Sequence, residues 1–182
     1  PICIDTEGPQ IRTGLIKKDK MILNEGDVIT INKYETVSDE NNLSLRPSEI
    51  INKIMIGDLI SVDFDSVLLH VIEKIDGGYL SKVISGGSIS SNKAVTLDRE
   101  ITLPILSEKD IKGIKILNDL KLKNITLSFV NNCEDVKYVR SIINKDVQLI
   151  SKIETTEALR NIDYIIDFSD GILIDRGDLS RE

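Results

Sequence analysis

Lys152 and Glu154 stand two residues apart in the run "VQLISKIE", and Arg176 and Asp178 have the same spacing at the end of "GILIDRGD". Side chains two apart in an extended strand project from one face. If both runs are strands, and the second persists to Asp178, each delivers one carboxylate to a common strand end. A hard cation such as Mg²⁺ or Mn²⁺ is held by one or two carboxylates and takes further oxygens from water and substrate phosphate. A lysine beside such a cation would neutralise charge on a phosphoryl group or an enolate. Charged groups near strand ends are also often merely solvated or ion-paired, and the spacing alone leaves both readings open.

The surrounding sequence indicates what would position these groups. Ser107 in "LSEKDIKGIKILNDLK" is a predicted N-cap with Asp110 three residues on, and Ile111, Ile114, Leu117 and Leu120 form the expected apolar side. "ITLSFV" (125–130) reads as a strand. Asn132 is placed to cap "NCEDVKYVRSIIN", whose Val136, Val139 and Ile143 have the spacing of one helical stripe. "VQLISKIE" is then a strand, "TTEALRNIDYIIDF" a helix with Ala158, Ile162 and Ile165 inward, and "GILIDRG" a further strand. This alternation predicts an α/β fold with a parallel sheet, either a (β/α) barrel or an open doubly wound sheet. In barrels the functional residues gather at the C-terminal strand ends, where Lys152, Glu154 and Asp178 fall.

Residues 15–98 have another texture, with Gly-centred turns and β-branched runs. "NEGDVITI" and "MIGDLISV" each put Gly-Asp in a turn before an alternating strand, and are read as two similar turns rather than a repeat. Three segments result: 1–14, a barrel strand ending near Asp5; 15–98, an all-β insert; and 99–182, the rest of the barrel segment. An insert on a βα loop lies over the active-site end, where it can serve as a lid.

Net charge is -7 and the basic residues are scattered, which argues against a nucleic-acid or anionic-membrane surface. No uninterrupted apolar run approaches the roughly 20 residues of a membrane span, and no signal-peptide pattern opens the chain. Cys3 and Cys133 are isolated, which suggests neither a disulfide framework nor a zinc site and fits a reducing cytoplasm. Cys133 is read as a packing or exposed residue. His70, the only histidine, is read as a satisfied strand residue rather than a general base. The chain starts without Met, at Pro1, and is expected to be an internal piece of a longer protein.

In order, "DTEGPQIRTG", "LPILSEKD", "LSFV", "EDVKYVR", "LISKIE" and "SDGILIDRGDLSRE", separated by a β-rich insert, resemble the pyruvate kinase family over essentially the whole chain. The resemblance implies a partial (β/α)8 TIM barrel with an inserted small all-β barrel lid domain. It implies phosphoryl transfer from phosphoenolpyruvate to ADP, giving pyruvate and ATP, with Mg²⁺ and K⁺, in a protein that is a cytoplasmic homotetramer at full length. By the same resemblance, Lys152 stabilises the transferring phosphoryl group and the enolate, and Glu154 and Asp178 hold the divalent cation. Asp5 and Thr6 contribute oxygens to K⁺, and Arg12 contacts phosphate. Main-chain N–H groups around Arg176 and Gly177 receive the substrate carboxylate, while Ser128 and Phe129 line the pocket. Lys93 falls near a lid lysine that reaches nucleotide phosphate; a solvated loop charge is its other reading.

Several positions depart from the family pattern. Glu7 stands where Lys is usual, Asn131 where Arg follows "SFV", "DFDS" (63–66) where the lid has "DDG", and "DRGDLS" where "ARGDLG" is usual, which introduces Asp175 and Ser180. Most of these changes make the expected phosphate region more negative. They motivate a second reading, a non-catalytic metabolite-binding homologue; a Mg²⁺-dependent lyase of the same barrel group is a third. Only four barrel strands are visible, ending near Asp5, Val130, Glu154 and Gly177. The family's "RxNxSHG"-type and "TQMLESM"-type segments and its C-terminal domain are not within the sequence.

Overall fold

Strand β1 (Cys3–Asp5) opens a computed structural model that describes residues 2–63, 66–99 and 101–179. The chain divides into two units, Pro1–Pro9 with Leu103–Glu182, and Gln10–Thr102.

The second unit is built from β2 (Ile11–Thr13), β3 (Met21–Leu23), β4 (Val28–Asn32), β5 (Asn42–Leu43), β6 (Leu45–Arg46), β7 (Leu59–Val62), β8 (Val67–Ile75), β9 (Gly78–Ser85), β10 (Gly87–Ile89) and β11 (Ala94–Leu97). Eight of these form one mixed sheet in the order β5-β4-β9-β8-β7-β11-β2-β6, and β3 pairs with β10. Its edge strands β5 and β6 are separated in sequence only by Ser44, so the sheet curls until it is nearly closed. Ser44 secures that junction: its N–H donates to Ser38 Oγ (2.9 Å) and its carbonyl accepts from the Gly14 N–H (2.8 Å). Alternating residues fill the interior, among them Ile29 and Ile31 on β4, Ile60 and Val62 on β7, and Val67, Leu69 and Val71 on β8, all fully or almost fully buried. A 3₁₀ helix, Ser48–Asn52, adds buried Ile50 and Ile51 to this β-rich unit.

The echo between "NEGDVITI" and "MIGDLISV" is one turn built twice, on either side of the β8–β9 hairpin. Gly26 and Gly57 adopt φ of 90° and 100°, where a side chain would be strained. Their N–H groups donate to the carbonyls of Val83 (2.9 Å) and Val71 (2.8 Å), whose own N–H groups return bonds to Asp27 and Asp58. The Asp27 and Asp58 carboxylates each accept the N–H three residues back, from Asn24 and Met55, at 2.8 Å.

Asp58 differs from its counterpart in being buried against Arg99, with Nε to Oδ1 at 2.8 Å and an Nη2 bond to Oδ2 at 3.0 Å. Burial pushes its pKa up, but the Arg99 hydrogen bonds, the Met55 N–H and the guanidinium charge outweigh it and hold the carboxyl below its usual value. A depressed pKa contributes stability above the unfolded value of about 3.9, and that contribution is lost as pH falls through the folded pKa. Replacing Arg99 by Ala is therefore expected to lower the melting temperature by about 4 °C at neutral pH. The gap should narrow in melts run progressively below about pH 4.

The first unit continues with α1 (Glu108–Asp119), β12 (Asn124–Leu127), α2 (Cys133–Ile142), β13 (Gln148–Ile153), α3 (Thr156–Arg160), α4 (Ile162–Ile166), β14 (Gly171–Ile174) and α5 (Arg176–Leu179). Its four strands are parallel, in the order β1-β12-β13-β14, as strand–helix alternation requires. One face buries Ile125, Leu127, Leu149 and Ile153 in a core shared with Ile114 and Leu117 of α1, Val136 and Val139 of α2, Ala158 and Ile165. The other parity puts Asp5, Thr126, Ile150, Lys152 and Leu173 on the opposite face, because Asp5 registers with Thr126, Thr126 with Ile150, and Lys152 with Leu173. Reciprocal capping boxes start α1 (Ser107 with Asp110) and α2 (Asn132 with Asp135), and Thr155 caps α3.

Four local expectations change. Ile111 and Leu120 are 50% and 67% exposed, leaving Ile114 and Leu117 as the buried pair; successive i, i+3 steps fall about 60° short of a full turn, so the ends of such a row leave the core. "ITLSFV" stops being a strand at Leu127, and Phe129 turns at a φ of 54°. Ile143 is buried beyond the last residue of α2, in extended backbone. "TTEALRNIDYIIDF" is two short helices broken at Asn161, whose Nδ2 donates to the Asn131 carbonyl at 2.9 Å. Among the described residues no helix is long and apolar enough to cross a membrane.

Candidate active site

The segment after β1 is anchored through Asp110. This buried carboxylate caps its own helix and also accepts the N–H of Glu7 at Oδ1 (2.7 Å) and of Gly8 at Oδ2 (3.2 Å). Gly8 has a φ of 71°, and a Cβ there would lie 2.8 Å from the Ser128 carbonyl. Asp110 thus fixes the "DTEGP" loop against the end of β12. Asp110→Ala would leave the buried Gly8 N–H and the partly buried Glu7 and Ser107 N–H groups without this acceptor and is expected to destabilise the unit by about 3 kcal/mol, measured by denaturation.

Thr6, buried, links the ends of β1 and β12. Its hydroxyl accepts the Ser128 N–H (2.9 Å), and its carbonyl accepts the Ser128 hydroxyl (2.7 Å). Asp5, exposed, receives the Thr126 hydroxyl on Oδ1. Ser128 in turn accepts from Lys152 Nζ at 3.2 Å, and the same ammonium pairs with Glu154 Oε1 at 2.9 Å. The two-residue spacing from Lys152 on β13 to Glu154, just past its end, therefore does bring the two together. Glu154 is 1% exposed, and its second oxygen accepts the Phe129 N–H at 2.7 Å. Burial alone would push the Lys152 pKa down. The Glu154 hydrogen bond and charge, with the charges of Asp5 and Asp175, outweigh that and hold it above an ordinary lysine.

β14 ends at Ile174, so Arg176 and Asp178 do not share a strand face as the spacing had suggested. They belong to the short helix α5, and a helical turn rather than strand parity orients Asp178. Asp178 nevertheless reaches the same place: ligand oxygens of Glu154, Asp175 and Asp178 all lie within 4.8 Å of one another. Asp175 is tied beside Glu154 because its N–H donates to the Ile153 carbonyl at 3.1 Å. Asp175 Oδ1 accepts the N–H groups of Gly177 (3.0 Å) and Asp178 (3.4 Å). Three clustered carboxylates are a donor set suited to a hard divalent cation.

Arg12 and Lys93 lie in the other unit, on and beside the paired strands β2 and β11. Arg12 Nη1 donates to the Asn92 carbonyl at 3.0 Å, and Lys93 Nζ pairs with Asp63 at 3.2 Å. His70 lies within β8, opposite Leu59, and Cys133 begins α2.

The departures from the family pattern have local partners. Glu7 is ion-paired with Lys109. The Asn131 side chain accepts the Thr155 hydroxyl at 2.5 Å, joining the ends of β12 and β13. Ser180, and Phe64 and Asp65 of "DFDS", lie outside the described residues.

The family model described as "Pyruvate kinase, barrel domain" matches residues 1–182, the whole chain. The chain belongs to the pyruvate kinase family. It is 37% identical over 191 residues to a pyruvate kinase of Candida albicans, covering 100% of this chain and 38% of that protein. It is 34% identical over 187 residues to one from Thermotoga maritima, covering 100% of this chain and 40% of the relative. With a pyruvate kinase of Methanocaldococcus jannaschii it shares 36% identity over 183 residues, covering 98% and 38% of the two chains. The chain thus spans about two fifths of the length of these curated pyruvate kinases.

Two groups that shape this carboxylate and lysine cluster are not evident from the sequence. Asp110 carried a signal only for helix capping, since its loop partners are 102 and 103 residues away. The Phe129 N–H that holds Glu154 is a backbone group, which residue types do not reveal.

Proposed function

We propose that, in the complete protein, this segment carries part of a pyruvate kinase site that transfers the phosphoryl group of phosphoenolpyruvate to ADP, giving pyruvate and ATP. The observation that carries this reading is the partly buried Lys152 held between Glu154 and Ser128, next to three clustered carboxylates. Its raised pKa keeps Lys152 an ammonium at neutral pH. Held in place by two fixed oxygens, it is a preorganised cation for charge that develops on a phosphoryl group or an enolate oxygen. Ser128 positions Nζ, and Thr6 positions Ser128. Glu154 and Asp178 would hold Mg²⁺ or Mn²⁺, an ion that, when bound, neutralises and orients phosphoryl oxygens. Asp5 and Thr6 would offer oxygens to K⁺.

In the same proposal, main-chain N–H groups around Arg176 and Gly177 receive the substrate carboxylate, Ser128 and Phe129 line the pocket, and Arg12 contacts phosphate. Segments 1–14 and 99–182 would belong to an eight-stranded (β/α) barrel, with 15–98 as its lid and Lys93 reaching the nucleotide. The whole would be a cytoplasmic homotetramer. Support comes from family membership and from relatives named pyruvate kinase along the full length of the chain. The test is an assay of the complete protein with phosphoenolpyruvate, ADP, Mg²⁺ and K⁺. ATP should form and should stop when the divalent cation is chelated; no ATP at saturating substrate sinks the catalytic reading.

One observation favours a non-catalytic, metabolite-binding homologue. Asp175 Oδ1 engages the N–H groups of Gly177 and Asp178, donors in the stretch that the resemblance gives to the substrate carboxylate. Phosphoenolpyruvate binding by calorimetry, without ATP formation, would select this second reading.

A further inference from the structure

We propose that Asp175 is a third protein ligand of the divalent-cation site, so that this chain binds Mg²⁺ or Mn²⁺ without substrate more tightly than a two-carboxylate site would. The inference rests on the reading of Glu154 and Asp178 as cation ligands, and it concerns a residue that replaces the Ala of the usual "ARGDLG". Asp175 is the first residue past β14, and its N–H bond to the Ile153 carbonyl sets it directly beside Glu154. Its carboxylate comes within 4.8 Å of those of Glu154 and Asp178.

The side chain is also oriented. Two N–H groups, one of them from Asp178 itself, converge on Asp175 Oδ1. Such outer hydrogen bonds fix a carboxylate so that its second oxygen can face a metal. Charge points the same way. Lys152 is ion-paired with Glu154, so the cluster of three carboxylates holds more negative charge than this ammonium can balance. Like charges this close raise one another's energy, and a divalent cation relieves that repulsion. Mg²⁺ normally completes its shell with substrate phosphates; a third carboxylate supplies part of that shell from the protein. The same charge opposes an anionic substrate until the cation is in place, which makes cation binding the earlier step.

The test uses the complete protein and Mn²⁺ alone, with free Mn²⁺ read by electron paramagnetic resonance and no substrate present. Asp175→Asn keeps an amide oxygen for the Gly177 and Asp178 N–H groups while removing the charge. It should weaken Mn²⁺ binding about tenfold or more, the usual scale for groups around a metal site. Asp175→Ala, which also removes the N–H acceptor, should weaken it at least as much. Wild-type Mn²⁺ affinity in Asp175→Asn overturns the proposal, including the case in which only Asp175→Ala is weakened, since that would leave a purely structural cap. The control separates the two claims. If Asp178→Asn loses Mn²⁺ while Asp175→Asn does not, the site stands without its third ligand. If Asp178→Asn and Glu154→Gln both bind as wild type, the underlying cation site fails with it.

Discussion

Lys152→Met in the complete protein should lower kcat for ATP formation by about 10³-fold, with KM for phosphoenolpyruvate changing far less. Met preserves most of the side-chain volume but removes the ammonium that sits 2.9 Å from Glu154 and 3.2 Å from Ser128. The interaction lost is with charge that develops during transfer, so the effect falls on kcat. The variant should still fold, because Ser128 remains bonded to Thr6 and Glu154 remains bonded to the Phe129 N–H. Its stability loss has a defined pH signature. Lys152 has a folded pKa raised above its unfolded value, so its stabilising contribution is complete below about pH 10.4 and is lost only as pH rises through the folded pKa. The difference in melting temperature between wild type and variant should therefore stay constant from neutral to mildly alkaline pH. A variant with near wild-type kcat would remove Lys152 from the reaction.

Glu154→Ala should have the largest effect on stability, about 3–5 kcal/mol, read as a fall of roughly 10 °C in melting temperature. One truncation leaves the partly buried Lys152 ammonium without its carboxylate and the Phe129 N–H without its acceptor. Phe129 is held at a φ of 54°, so the turn that presents Ser128 to Lys152 loses a restraint where the backbone is least favourable. Glu154→Gln separates structure from chemistry. Its amide oxygen can still accept the Phe129 N–H, so much of the stability should return, whereas divalent-cation affinity should remain low. Equal losses of stability in the two variants would mean that the Phe129 contact contributes little.

Parity and capping made a large part of this legible from sequence. The two-residue step from Lys152 on β13 to Glu154, the first residue past it, follows strand parity and needed no tertiary information. The Ser107–Asp110 signal for α1 is equally local, and both capping boxes formed. What escaped depends on partners distant in sequence. Phe129 leaves the strand in a turn whose N–H meets a carboxylate 25 residues later, so "ITLSFV" could not disclose its own end. Asn161 interrupts a helix that local pattern made continuous, while its side chain bonds 30 residues back to Asn131. Asp178 reached the cluster by a different backbone route from the one its spacing suggested. Asp175 is the most instructive case. By charge alone it opposes phosphate, yet its position beside Ile153 and Glu154 is what supports the proposal that the same charge serves a cation.

The central claim is that Lys152, Glu154 and Asp178 meet at one cation and phosphoryl site, and Mn²⁺ anomalous diffraction from crystals of the complete protein grown with phosphoenolpyruvate tests it most directly. The expected result is a Mn²⁺ peak coordinated by Glu154 and Asp178, with the substrate phosphate beside Lys152 Nζ. A fully occupied Mn²⁺ peak away from these carboxylates, or substrate phosphate remote from Lys152, would contradict the account.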